Sequence, residues 1–316
     1  MQYHRRITLV GLFVLLVISV VITLSLGVSG FSLWSMDSDT IQNVIYNVRL
    51  PRILGAILVG MGLATTGCIM QGLFQNPMAD PYILGTASGS ALGAVCAMLF
   101  LGSEYIPIFA FCGAIISIFV VYTISVNHHH NIETLLLSGI AVSLFLSALL
   151  SLLMYSFGNQ NWNNIMFWVM GGLSDIGWDD IKLGLFIPVL CVIMWGYSRN
   201  LNIMTLGSES ATHLGVDVEQ TKRILLFISA CIIGISVSIS GCIGFIGLIV
   251  PHIMRIFVGS NNWVLLPSSM VAGSILLIWA DTMARSLPGG QIPVGIITAF
   301  LGAPFFIYLL RTRAIK

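Results

Sequence analysis

The chain has 316 residues, 57% of them hydrophobic and 8% charged, with a mean hydropathy of +0.98. Ordinary soluble domains carry roughly 25% charged residues, so there are too few ionic groups here to cover a water-facing surface; a soluble enzyme, a nucleic-acid binder and a disordered chain are excluded. Thirteen basic against twelve acidic residues leave a net charge of +1, too little for electrostatic capture of a polyanion.

A membrane-crossing helix needs about 20 mostly apolar residues. Ten runs qualify: 7–29, 51–71, 82–101, 106–126, 135–156, 181–198, 224–240, 243–258, 264–285 and 292–310. The expected fold is all-α, a polytopic bundle of about ten helices forming a single transmembrane domain over 1–316. The first run has a basic start, but no A-x-A-like cleavage site follows it, so it reads as a retained helix. Leu50-Pro51 opens the second span. Asp80-Pro81 reads as an N-cap followed by proline at the first helical position of the third. In that third span Gly85, Gly89 and Gly93 recur every four residues, a small-residue face for close helix packing.

The loop after the fourth span carries His128, His129 and His130, read as a solvated turn. Beyond the fifth span, 158–180 holds Trp162, Phe167, Trp168 and Trp178, and its middle, 162–173, predicts a short interfacial or re-entrant helix. Between the sixth and seventh spans, 199–223 mixes charge with apolar residues and predicts two short helices. Ser208 caps the first of these and Gly215 ends it in the left-handed conformation. Asp217, with Gln220 three residues on, starts the second. Ala211 and Leu214 lie three apart and are expected to share a face. Gly241, Gly244 and Gly247 suggest a second small-residue strip. Pro251 and Pro304 fall inside apolar runs and predict kinks. Asp281 is the clearest ionisable residue inside a span, and Arg285 one turn later is its expected partner.

An even number of spans puts both termini on one side. With the N-terminus inside, the cytoplasmic ends and loops hold Arg5, Arg6, Arg199, Lys222, Arg223, Arg255, Arg311, Arg313 and Lys316, as the positive-inside rule requires. Arg49, Arg52, Lys182 and Arg285 then lie outside, against the bias. The cysteines Cys68, Cys96, Cys112, Cys191, Cys231 and Cys242 have no CxxC spacing and read as small buried hydrophobes. No metal site is expected. A P-loop needs GxxxxGK[ST], and none of the three lysines follows a glycine. The chain therefore has no means to hydrolyse ATP, and a driven process needs a partner acting through 199–223.

The strings Arg49-Leu50-Pro51-Arg52, Met70-Gln71-Gly72-Leu73, Asn76-Pro77-Met78-Ala79-Asp80-Pro81 and Ala211-Thr212-His213-Leu214-Gly215 resemble the FecCD-type permeases. So do the long run from Gly244 to Arg255, the Asp281…Arg285 pair, Ile292-Pro293-Val294-Gly295 and Gly302-Ala303-Pro304-Phe305-Phe306. The resemblance covers essentially the whole chain. It implies the permease subunit of a type II ABC importer in the bacterial cytoplasmic (inner) membrane, multi-pass, with both termini cytoplasmic. The implied partners are a second permease subunit, identical or paralogous, two ATPase subunits that bind ATP and Mg, and an extracytoplasmic substrate-binding protein. No cofactor is expected on this chain, no nucleic acid is a partner, and membrane lipid surrounds it.

The resemblance also implies residue roles. Ser208, Glu209, Ala211, Leu214 and Gly215 would couple to the ATPase. Arg49, Arg52 and Arg285 would dock the binding protein. Trp168, Gly171 and Gly172 would line the outer mouth, and Asn131 and Thr134 would belong to a cytoplasmic gate. The expected cargo is an iron(III)–siderophore complex, with haem or cobalamin as alternatives. A free-standing ion-coupled transporter is the rival reading, and it lacks a chain of buried ionisable residues.

Overall fold

In a hydrocarbon solvent a segment of about 20 residues can satisfy its own backbone groups only as a helix, and every regular element among the described residues is helical. The computed structural model describes residues 2–26, 42–126, 132–157, 162–287 and 292–313. Helix α1 is Gln2–Ser25. A π-helical turn, Ile45–Arg49, runs directly into α2, Leu50–Leu73. A 3₁₀ turn, Pro81–Leu84, precedes α3, Thr86–Phe100. Then come α4 (Ile106–Val126), α5 (Ile132–Phe157), α6 (Trp162–Val169), α7 (Trp178–Gly184) and α8 (Phe186–Gly196). The chain continues with α9 (Ser198–Met204), α10 (Ser208–His213), α11 (Val218–Ser240), α12 (Ile246–Val258), α13 (Asn262–Ser286) and α14 (Val294–Arg313).

Helices α1, α2, α4, α5, α11 and α13 lie in segments long and apolar enough to cross a membrane; α7–α8 with α9 form a bent span, turned by 48°. Helices α3, α12 and α14 are shorter apolar helices. Each of the ten apolar runs of the sequence thus falls on one of these elements. The end of α1 meets the start of α2 and the end of α13, and α6, α7 and the start of α14 lie at that same end; the end of α2 meets α9 and α10 at the opposite one.

Details differ from the sequence reading. Asp80 does cap a helical turn, its Oδ1 accepting from the Tyr82 N–H at 2.8 Å. That turn ends at Gly85, whose φ of +75° is left-handed, so α3 begins at Thr86 rather than 82. Gly85 is therefore its cap, and Gly89 and Gly93 are within it; all three still face α4. Gly241 and Gly244 stand in a helix break between α11 and α12, not on a helical strip. Pro251 and Pro304 lie inside α12 and α14, which continue past them. The expected second short helix of 199–223 is the first turn of the long α11.

Helix α2 is the axis of the bundle, packed on α8, α11, α12 and α13 and buried over most of its length. Lipid tails offer helices no hydrophobic reason to associate, so close backbone approach and interhelical hydrogen bonds supply the attraction. The Ser274 hydroxyl on α13 donates to the Ile57 carbonyl at 2.8 Å. Ser90 on α3 donates to the Ala110 carbonyl of α4 at 2.8 Å. On the periphery α1 and α5 expose apolar side chains such as Phe13, Val17, Leu144 and Phe145, a surface suited to lipid.

Gly67 on α2 lies where any Cβ would collide with the Gly247 carbonyl of α12. Gly67→Ala is expected to destabilise the bundle by ~1–3 kcal/mol, read as a lower midpoint of thermal unfolding in detergent. Gly196→Ala, at an open position, is the control. Equal midpoints for the two variants would contradict the α2–α12 contact.

Candidate functional site

Functional features gather at the two ends of the bundle, joined by α11, whose 23 residues span about 34 Å at 1.5 Å per residue. At the α6 end a cavity of about 820 Å³ is lined by Met98, Ile106, Pro107, Ile165, Phe167, Trp168, Ile239 and Pro293, the hydroxyls of Ser103, Ser174, Ser238 and Ser240, and the carboxylates of Asp175 and Asp180. Asp180 is held in place because its Oδ2 accepts from the Gly177 N–H at 2.9 Å, which caps α7.

Behind the cavity the backbones of three elements meet. The Gly172 N–H donates to the Ser240 carbonyl at 2.8 Å, and the Gly295 N–H donates to the Gly171 carbonyl at 3.2 Å. Gly171 has φ +77° and no room for a Cβ against Cys242, so only glycine fits there. Of the mouth residues named from the sequence, Trp168 and Gly172 line the cavity, while Gly171 ties the exit of α6 to α14. Ser240, Gly241 and Gly295 belong to the same junction. The sequence signal for it was present in the Gly-rich 241–244 and in Pro293-Val294-Gly295, but helical periodicity does not separate a packing strip from a break.

The same end holds four buried charges. Arg52 grips Asp281 with Nε at 2.9 Å from both carboxylate oxygens and Nη2 at 2.8 Å from Oδ1. Arg52 is 6% and Asp281 2% exposed. Arg285, the partner expected one turn along α13, stands farther off at 3.9 Å. The expected i,i+4 pair is thus present but secondary; the closer partner, Arg52, comes from α2, and no pattern local to α13 reveals a neighbour 229 residues away. The other two arginines cap α1. Arg49 Nη1 donates to the Leu24 carbonyl at 2.6 Å and Arg285 Nη2 to the Thr23 carbonyl at 3.0 Å, satisfying carbonyls that the helix end leaves open. Arg49, Arg52 and Arg285 are therefore all turned into the end of the bundle.

At the opposite end α10 projects from a braced mount. Asn202 on α9 accepts from the backbone N–H and the side-chain amide of Asn262, each at 2.9 Å, and donates to Asn261 at 2.9 Å, joining α9 to the start of α13. Gln75 at the end of α2 donates to the Met204 carbonyl at 2.8 Å. Asn200 donates to the Thr221 hydroxyl on α11 at 3.3 Å. Short polar links thus tie the mount of α10 to α2, α11 and α13. Gly207, rather than Ser208, caps α10. Gly215 has φ +82°, and Asp217 Oδ1 accepts from the Gln220 N–H at 2.9 Å to start α11.

Ala211 and Leu214 do not share an open face. Ala211 is 0% exposed and Leu214 60%, because α10 ends at His213 and Leu214 turns outward. Ser208, Glu209, Leu214 and Gly215 are exposed; Ala211 is an anchor, not a contact surface. Thr134 is half-buried in the first turn of α5 at this same end. Asn131 and His128, His129 and His130 lie outside the described residues.

A helical membrane bundle with a cavity at one end and a braced, exposed short helix at the other has the layout of a transport permease rather than of a catalyst. The chain belongs to the FecCD transport family, which it matches over residues 8–312. It is 44% identical to the cobalamin import system permease protein BtuC of Halobacterium salinarum, over 88% of this chain and 76% of that one. It is 39% identical to the hemin transport system permease protein HmuU of Yersinia pestis, over 99% and 98%. The molybdate import system permease protein MolB of Haemophilus influenzae is 38% identical, over 96% of each. Among solved structures, a metal-chelate type ABC transporter in an inward-facing conformation superposes with a TM-score of 0.87 at 37% identity, covering 96% of this chain and 98% of that one. PsaBC from Streptococcus pneumoniae shares the fold alone, with a TM-score of 0.57 at 16% identity.

Proposed function

We propose that the chain is the permease subunit of an ATP-binding-cassette importer, working as one of a pair in a bacterial cytoplasmic membrane and carrying an iron(III)–siderophore complex inward. Haem and cobalamin are the neighbouring cargoes, and the named relatives include permeases for both. The observation that carries the reading is α10: an exposed Leu214 on a short helix whose mount is hydrogen-bonded to three long helices. An apolar side chain held clear of the bundle asks for a partner, and ATPase subunits closing on ATP would push there.

The basic residues at the α10 end and at both termini support an orientation with that end in the cytoplasm, by the positive-inside rule. The cavity end then faces outward, where a binding protein would deliver cargo beside Trp168 and Gly172. Arg49, Arg52 and Arg285, buried at that end, would contribute the positive charge that guides its docking. Asn131 and Thr134 would close the pathway inside.

The test is uptake into vesicles that hold the permease with its ATPase and receive loaded binding protein outside. Accumulation of the iron chelate is expected with ATP and absent without it. Uptake that proceeds equally without nucleotide rejects the importer reading in favour of an ion-coupled carrier. Haem and cobalamin, run in parallel, separate the cargoes.

A further inference from the structure

We propose that the cavity at the α6 end selects cargo by charge, accepting neutral and cationic metal chelates and turning away polyanionic ones. The inference deepens the importer reading and rests on it. At about 820 Å³ the cavity falls within the usual range for small-molecule sites, about 300–1,000 Å³. Its described lining offers apolar and aromatic surface from Phe167 and Trp168, hydroxyls such as Ser174 and Ser240, and two carboxylates, Asp175 and Asp180; no Lys, Arg or His is among the described lining residues.

Among the described residues the basic groups at this end are turned away from the lining or held at the surface. Arg49, Arg52 and Arg285 are committed to Asp281 and to the end of α1, and Lys182 is paired with Asp179 at 2.6 Å. A polyanion entering such a space gives up hydration, finds no opposite charge among the described lining and meets two carboxylates, and low-dielectric walls strengthen that repulsion. A neutral or cationic chelate loses nothing comparable and can use the hydroxyls and aromatic faces. Exclusion by unpaired like charge is a general route to specificity.

The experiment titrates three iron(III) chelates into the purified full chain in detergent and follows quenching of tryptophan emission. Ferrioxamine B is cationic, ferrichrome neutral, and the tris-catecholate complex trianionic. The trianion is expected to bind at least about tenfold more weakly than the cation. Trp168→Phe should remove most of the quenching, which locates it at the cavity wall. The double variant Asp175→Asn with Asp180→Asn keeps the α7 cap acceptor and should narrow the gap from both sides. Trianion binding as tight as the cation's, quenching indifferent to Trp168, or no binding by any of the three overturns the proposal. If the double variant fails to fold, the ranking in the unaltered chain decides. No ATPase is needed here, so the result is independent of nucleotide-dependent uptake, which tests the importer reading itself.

Discussion

Leu214→Asp is expected to lower ATP-driven uptake by roughly thirtyfold or more, the loss of one interface hot spot, while leaving the midpoint of thermal unfolding where it was. The two halves of that expectation come from one number: the side chain is 60% exposed, so nothing in the bundle depends on it. An apolar group at a partner interface contributes by leaving water, and a carboxylate in its place must be desolvated without an opposite charge. The ATPase should also fail to co-purify with the variant. Ala211→Asp makes the contrast. Ala211 is fully buried, so a carboxylate there should dislodge α10 and lower stability as well as uptake. Full uptake by Leu214→Asp would remove α10 as the point of energy entry.

Breaking the Arg52–Asp281 pair should be costly, and unequally so from its two sides. Removing one partner of a buried ion pair typically costs about 3–5 kcal/mol because the other charge stays buried and uncompensated. Asp281→Ala leaves Arg52 and Arg285 together with no carboxylate between them. Arg52→Ala leaves Asp281 with Arg285, now 3.9 Å away, as a fallback. Asp281→Ala is therefore expected to be the more damaging, measured as the midpoint of thermal unfolding in detergent, and the exchange Arg52→Asp with Asp281→Arg should recover part of the loss. Equal, small effects from both single variants would show the pair to be dispensable. Because Arg52 supports the fold, charge reversal there does not isolate docking of a binding protein. Arg49 stands outside the ion pair but is buried and holds the Leu24 carbonyl at the end of α1, so Arg49→Glu reports on capture where the midpoint of thermal unfolding is unchanged, with the larger loss at low salt where charges are less screened.

Much of this architecture was legible before any coordinates. A hydrocarbon solvent demands long runs of apolar residues, and those runs sit at 51–71 or 264–285 in plain view, so the placement of the apolar helices followed from composition, while among the described residues six or seven rather than ten are long enough by themselves to cross. Local chemistry also read correctly where its cause is local. Asp217 starts α11 and Gly215 turns left-handed, since capping and turn geometry depend on residues within about one helical turn. The exposed position of α10 between two apolar runs had the same origin.

What the one-dimensional pattern misjudged were matters of partnership. Asp281 does pair with Arg285, its neighbour along the helix, but the closer partner Arg52 was missed, and Ala211 was paired with Leu214 on spacing alone. Gly241 and Gly244 mark the boundary between the spans at 224–240 and 243–258 as read, but the packing strip also read into them is not there, since they form a break. In each case the deciding contact comes from another helix or from where a helix stops.

Taken by itself, the sequence determined that this chain is a many-helix membrane protein with no phosphate-binding loop and an exposed segment at 199–223, because solvent and local backbone chemistry act residue by residue. Only the tertiary structure decided that Arg52 holds Asp281, that two arginines cap α1, and that Trp168 and Gly172 open onto a cavity free of basic groups among its described lining. Those facts depend on which helices lie side by side, and lipid, being as apolar as the helices themselves, leaves that choice to small-residue contacts and a few polar links.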